Sequence, residues 1–165
     1  MKGIVAVDSV FGNTMRVGEA IADELRKSGH EVEVVDLGKK VPRGAEADFT
    51  FIGSPTRNGR MTGRAKKFLK RLRKDYWSTR PVAIFDTVMH LPDNERQRRH
   101  MVKWTENGAA PRLKALAEER GLKVHPEIFR AEVTGLKGPL APGSLDRSRE
   151  FARQFARTIN GVAPA

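Results

Sequence analysis

Two almost uninterrupted apolar runs, Gly3–Asp8 (GIVAVD) and Pro81–Asp86 (PVAIFD), set the strongest limit on what this chain can fold into. Runs this short and this apolar read as strands covered on both faces of a sheet. Double coverage needs a helical layer above and another below, and the rest of the sequence supplies both. Thr14–Ser28 places Val17, Ile21 and Leu25 four residues apart, with Ala20 beside them, and Gly29 ends that helix. Arg64–Lys74 carries its inner stripe on Ala65, Phe68, Leu69 and Leu72. Gly108–Arg120 carries one on Leu113, Leu116 and Ala117, with Gly121 as terminator. A last helix is expected to open at Ser144 as N-cap and to pack through Phe151, Phe155 and Ile159.

Three further strands complete the pattern. Phe49–Gly53 (FTFIG) is buried, Glu31–Asp36 (EVEVVD) largely alternates, and Lys123–Val133 contains Pro126. Alternating and proline-bearing strands belong at sheet edges, where a wet face and a missing N–H are tolerated. The expectation is therefore an α/β, three-layer, doubly wound fold with a five-stranded parallel sheet in the order 2-1-3-4-5. One domain over residues 1–160 accounts for the length, with residues 161–165 as a loose tail. Thr87–Asn107 reads as the one long irregular stretch.

Composition removes several kinds of chemistry. The chain has no cysteine, which excludes disulfides, thiol catalysis and cysteine-based metal sites. The N-terminal apolar run is too short for a signal peptide, and no span approaches the roughly 20 apolar residues of a membrane helix. A cytoplasmic protein with no membrane partner is expected. His90, His100 and His125 show no metal-ligand spacing. Ser9 lacks both the G-x-S-x-G context and a visible His/Asp relay.

In open parallel sheets, ligands bind beyond the strands' carboxyl ends, where the strand order reverses. For the order 2-1-3-4-5 that point lies between the first and third strands. The loops leaving there are SVFGNT and SPTRNGRMTG, with TVMHLP beside them from the fourth strand. All three are rich in glycine, hydroxyl and amide groups. The first runs straight into a helix N-terminus, which suits either a phosphate or a simple helix cap by Asn13 or Thr14. There is no G-x-x-x-x-G-K-[ST] and no post-strand G-x-G-x-x-G, so nucleoside triphosphates and Rossmann dinucleotides are disfavoured. A phosphorelay receiver would need an aspartate where Gly53-Ser54 stands.

The motifs S-V-F-G-N-T, G-S-P-T-R-N-G and F-D-T, each after its strand, resemble the flavodoxin family of small FMN-binding proteins. The later segments GAAPRLKALAEERG and GLKGPLAPGSLDRSREFA extend the resemblance over nearly the whole chain. It implies FMN as cofactor, with Ser9, Val10, Phe11, Gly12, Asn13 and Thr14 around its phosphate. Pro55, Thr56, Arg57, Asn58 and Gly59 would line one side of the isoalloxazine ring, and Asp86 and Thr87 would approach from the other. It also implies that a peptide near Asn58-Gly59, both tolerant of positive φ, turns to accept a hydrogen bond from the reduced flavin's N5. No residue need be called catalytic.

Two features depart from the family pattern. Neither flavin-side loop begins with an aromatic residue; Trp104 is placed either to close over the flavin or to pack its segment against the body. Tyr76 and Trp77 fall at the opposite end of the sheet and read as packing. The formal net charge of +11 contrasts with the acidic electron carriers of the family. Arg64, Lys66, Lys67, Lys70, Arg71, Arg73 and Lys74 lie off one apolar stripe, and Arg96, Arg98, Arg99, His100 and Lys103 add to them. Such a surface fits an acidic redox partner protein or, less well, nucleic acid. Both a monomer and a homodimer are compatible with the fold. The expected function is electron transfer or flavin reduction through FMN. The alternative is a flavin-free binding module that uses its basic surface.

Overall fold

The computed structural model of the chain describes residues 1–161. Of the tail expected at residues 161–165, everything from residue 162 onward lies outside the described residues. The chain runs through β1 (Lys2–Val7), α1 (Asn13–Lys27), β2 (Glu31–Asp36), β3 (Phe49–Pro55), α2 (Gly63–Arg71) and α3 (Lys74–Trp77). It continues through β4 (Val82–Met89), α4 (Glu95–Thr105), α5 (Ala109–Glu119), β5 (Val124–Val133) and α6 (Ser144–Ile159).

The five strands form one parallel sheet in the order β2-β1-β3-β4-β5, as the strand characters predict. Side chains alternate across it and divide the core in two. Val5 and Val7 of β1, Phe49 and Phe51 of β3, and Ala83 and Phe85 of β4 face α1 and α6. Ile4 and Ala6, Ile52, and Val82 and Ile84 face the opposite layer, with Phe68, Leu69, Trp77 and Leu113. On the α6 side, Phe49, Phe51, Phe151 and Phe155 meet edge to face, an arrangement that adds about 0.5–1.5 kcal/mol per pair to simple burial.

Two glycines let those rings lie flat on the sheet. Gly3 is the register partner of Phe49, and Gly53 that of Phe85. A Cβ on Gly53 would sit 2.1 Å from Phe85 Cζ, and one on Gly3 would sit 2.1 Å from Phe49 Cε2. The aromatic ring covers the space left by the missing side chain on the neighbouring strand.

Some boundaries differ from the expectation. The predicted helix Arg64–Lys74 is two pieces, because buried Leu72 turns extended (φ −70°, ψ 121°) to stay in the core. Trp77 then closes α3, fully buried, with Nε1 donating to the Ala45 carbonyl at 3.0 Å. The last helix is capped by Gly143 (φ 81°) rather than by Ser144, whose hydroxyl donates back to the Ala141 carbonyl. The largest correction concerns Thr87–Asn107: β4 continues to Met89, and α4 fills Glu95–Thr105. Asn94 starts that helix by accepting the Gln97 N–H. With Thr105 its single buried residue, α4 has no core-facing stripe for periodicity to reveal.

Gly53→Ala forces Phe85 off its seat and is expected to destabilise the fold by about 1–3 kcal/mol. The check is urea denaturation, in which the midpoint falls while the slope is unchanged. An unaltered midpoint would remove the ring-over-glycine contact as a constraint.

Candidate functional site

The carboxyl ends of β1, β3 and β4 open into a cavity of about 350 Å³, within the roughly 300–1,000 Å³ usual for ligand sites. Its first wall is the loop into α1, which contributes Val10, Phe11, Asn13 and Thr14. Ser9 and Gly12 support that wall from behind. The Ser9 hydroxyl accepts the Gly12 and Met15 N–H groups at 3.1 and 3.2 Å, and Gly12 takes φ 93° to swing the chain into the helix. Ser9 therefore does the capping that Asn13 or Thr14 could have done. Those two side chains turn elsewhere: Asn13 donates to the Lys137 carbonyl, and the Thr14 and Thr87 hydroxyls share a hydrogen bond of 2.9 Å. Among the described residues, the backbone N–H groups of Val10, Phe11, Asn13 and Thr14 find no acceptor. They sit at the positive end of the α1 dipole, and the loop that presents them contains no cation.

The second wall is the loop after β3, with Pro55, Thr56, Arg57, Asn58 and Gly59 on the cavity. Arg57 and Arg60 exchange backbone hydrogen bonds of 2.8 and 3.0 Å across Asn58 (φ 51°) and Gly59 (φ 73°). Positive φ at both central residues is what a type I′ turn requires, and Asn-Gly is its preferred pair. Arg112 Nε donates to the Gly59 carbonyl and to the Asn107 carbonyl, which pins the turn to the start of α5.

The third wall combines expected and unexpected residues. Thr87 lines the cavity, but Asp86 does not. Its carboxylate is 0% exposed and lies beneath the floor. It accepts two bonds from Arg130 (3.1 Å to Nε, 3.0 Å to Nη2), one from the Thr56 hydroxyl (2.9 Å) and one from the Ala110 N–H (2.9 Å). The Thr56 hydroxyl accepts the Ala109 N–H in turn, so this pair of residues caps α5 while tying β3, β4 and β5 together. Where a ligand contact was expected, Asp86 holds the scaffold.

Residues that loop composition did not point to include Met89, Met101, Thr105, Val133 and Leu136. Met101 and Trp104, at i and i+3 on α4, close the cavity from outside; that spacing is visible in the sequence only once α4 is known to be a helix. Trp104 stays 49% exposed and packs its edge on Gly59, where a Cβ would come within 3.4 Å of the Trp104 carbonyl. Phe11 is 43% exposed at the mouth, with the Arg57 guanidinium 5.6 Å and the Lys137 ammonium 5.9 Å from its ring. The rim of the cavity is cationic.

Asp86→Ala leaves Arg130 and the α5 N-terminus without their acceptor. It is expected to cost roughly 2–4 kcal/mol, the lower part of the range for a broken buried pair because Arg130 remains partly exposed. Asp86→Asn keeps the neutral acceptor and should fall between wild type and Asp86→Ala in urea unfolding. Equal losses from the two variants would remove the charge from this account.

Comparison with known proteins agrees with this geometry. The flavodoxin domain family matches over residues 4–121. Oxidised flavodoxin 1 from Bacillus cereus superposes with a TM-score of 0.72 at 19% identity, covering 95% of this chain and 98% of its own. A flavodoxin from the domain Archaea gives a TM-score of 0.71 at 17% identity, covering 97% and 99%. The flavodoxin, WrbA-like protein from Agrobacterium tumefaciens gives 0.66 at 18%, covering 98% and 99%. No curated protein matches the sequence. With the sheet order, the three-loop cavity and the family match in accord, the chain belongs to the flavodoxin domain family.

Proposed function

We propose that the protein binds FMN in the cavity between its three loops and acts in electron transfer or as a small flavin reductase. The observation that carries this reading is the row of unengaged N–H groups on Val10, Phe11, Asn13 and Thr14 at the start of α1. A phosphate monoester satisfies such donors with its oxygens and gains from the helix dipole, with no need for a lysine or arginine. The residues present fit the group: Phe11, Pro55, Met101 and Trp104 offer apolar surface, and the Asn58-Gly59 turn offers backbone polar groups.

Once bound, FMN supplies the one- and two-electron chemistry, and the protein supplies position and electrostatics. Ser9 and Gly12 hold the phosphate loop in shape. Thr14 and Thr87 lock that loop to β4, and Arg112 fixes the turn beside the ring. Trp104, on the cavity wall, would shield a bound ring from bulk water on one side. Arg57, on the cavity, would put positive charge near an anionic reduced ring. The exposed cations Arg64, Lys66, Lys67 and Lys70 of α2 fit a redox partner protein that is itself acidic.

An absorbance spectrum of the purified protein before and after adding FMN tests the cofactor directly. The expected result is a pair of flavin bands that stay with the protein through gel filtration. A colourless protein that ignores FMN would favour the flavin-free binding module. Arg57→Glu in the loaded protein replaces a favourable contact with a repulsive one, each worth on the order of 1–4 kcal/mol by Coulomb's law and toward the lower end here because Arg57 is exposed. The potential of the couple to fully reduced flavin should therefore fall, as read by redox titration. An unchanged potential takes Arg57 out of that role.

A further inference from the structure

Beside the cavity runs a second, larger depression, a cleft of about 1320 Å³ between α4 and the loop after β5. Met89 and Met101 line both spaces, so those two side chains form the boundary between cleft and cavity. α4 presents two neighbouring stripes to this region. Arg96, Arg99, His100 and Lys103, at i, i+3, i+4 and i+7, line the cleft. Met101 and Trp104 on the adjoining stripe line the cavity.

The cations of the cleft lack counter-charges. No carboxylate lines it among the described residues. Arg96 and Lys103 make no ion pair among the described residues, and Arg99 reaches only exposed Glu95, at 3.9 Å, a contact of little energy. His90 is the exception, bonded to Glu132 at the rim. Like charges gathered on one concave surface repel one another, and folding does not require the arrangement, since α4 buries only Thr105. A bound anion would relieve that repulsion. The neighbouring apolar cavity suits a small molecule with an anionic arm and an apolar body.

We infer that the cleft binds the carboxylate or phosphate arm of a small organic substrate, whose apolar part reaches the cavity past Met89 and Met101. What the substrate meets there rests on the flavin reading; the preference for an anion stands on the cleft alone. The assignment favours the reductase form of the proposed function over the pure carrier.

The experiment titrates purified protein, with and without FMN, with three probes that share one aromatic body: 2-naphthoate, 2-naphthyl phosphate and neutral 2-naphthamide. Binding is read by calorimetry. The expected result is that the two anions bind at least about tenfold more tightly than the amide, as charge-assisted hydrogen bonds require. The stronger of the two anions identifies the arm. Combining Arg96→Gln, Arg99→Gln and Lys103→Gln should abolish the preference, while circular dichroism and FMN retention stay unchanged. Equal affinity for acid and amide, or a preference that survives the triple substitution, overturns the inference. Displacement of bound naphthoate by an equimolar oligothymidine, steeply dependent on salt, overturns it in favour of nucleic acid. Loss of FMN binding with the anion preference intact would defeat the flavin reading and leave the cleft standing.

Discussion

The site depends on one buried carboxylate. Asp86 ends the apolar run of β4 and is fully enclosed, and an isolated charge there would be prohibitively costly. It is tolerated because Arg130 of β5, the Thr56 hydroxyl and the Ala110 N–H converge on it. Each of those partners belongs to a different part of the rim. The same network that neutralises Asp86 therefore fixes the loop after β3, the edge strand and the start of α5 against one another. The second and third walls of the cavity are thus held from beneath. That division also explains why an acidic residue beside the cavity need not line it.

Above this rigid floor the structure changes character. α4 is charged on most sides, exposed over most of its length and nearly absent from the core. Its sequence is consequently free of the demands that shape the other helices. What it brings to the rest of the molecule is Met101 and Trp104 toward the cavity and a row of cations toward the cleft. The aromatic residue absent from the loop beginnings thus arrives from a separate helix. The positive charge of the chain also resolves into distinct places. Part of it lies on the outward face of α2, part on α4, and part at the mouth, where Arg57 and Lys137 flank Phe11.

Particular residues show what could be read without coordinates. Two-sided apolar runs announce central strands because burial on both faces leaves no position for a polar residue, and Pro126 announces an edge because it cannot donate to a neighbour. The 2-1-3-4-5 order followed from those constraints and proved correct. Asn58-Gly59 announced a positive-φ turn by its own chemistry. By contrast, α4 reads as irregular chain in the sequence, since periodicity detects only helices with an apolar face to bury. Ser144 reads as the cap of the last helix, whereas Gly143 fills that position, because both residue types serve there and only the backbone angles decide.

The layers, the strand order and the three loops that meet at the sheet's carboxyl edge are legible along the chain. These depend on local alternation, helical period and turn chemistry, all of which are properties of neighbours along the chain. Only the tertiary structure decided which loop residues face inward. It turned Ser9 and Asp86 into supports, added Met89 and Met101 to the lining, and set Trp104 over Gly59. Those outcomes turn on contacts between residues dozens of positions apart, such as Thr14 with Thr87 and Asp86 with Arg130. A buried polar group must find its partner wherever the fold brings one, and no local pattern encodes that choice.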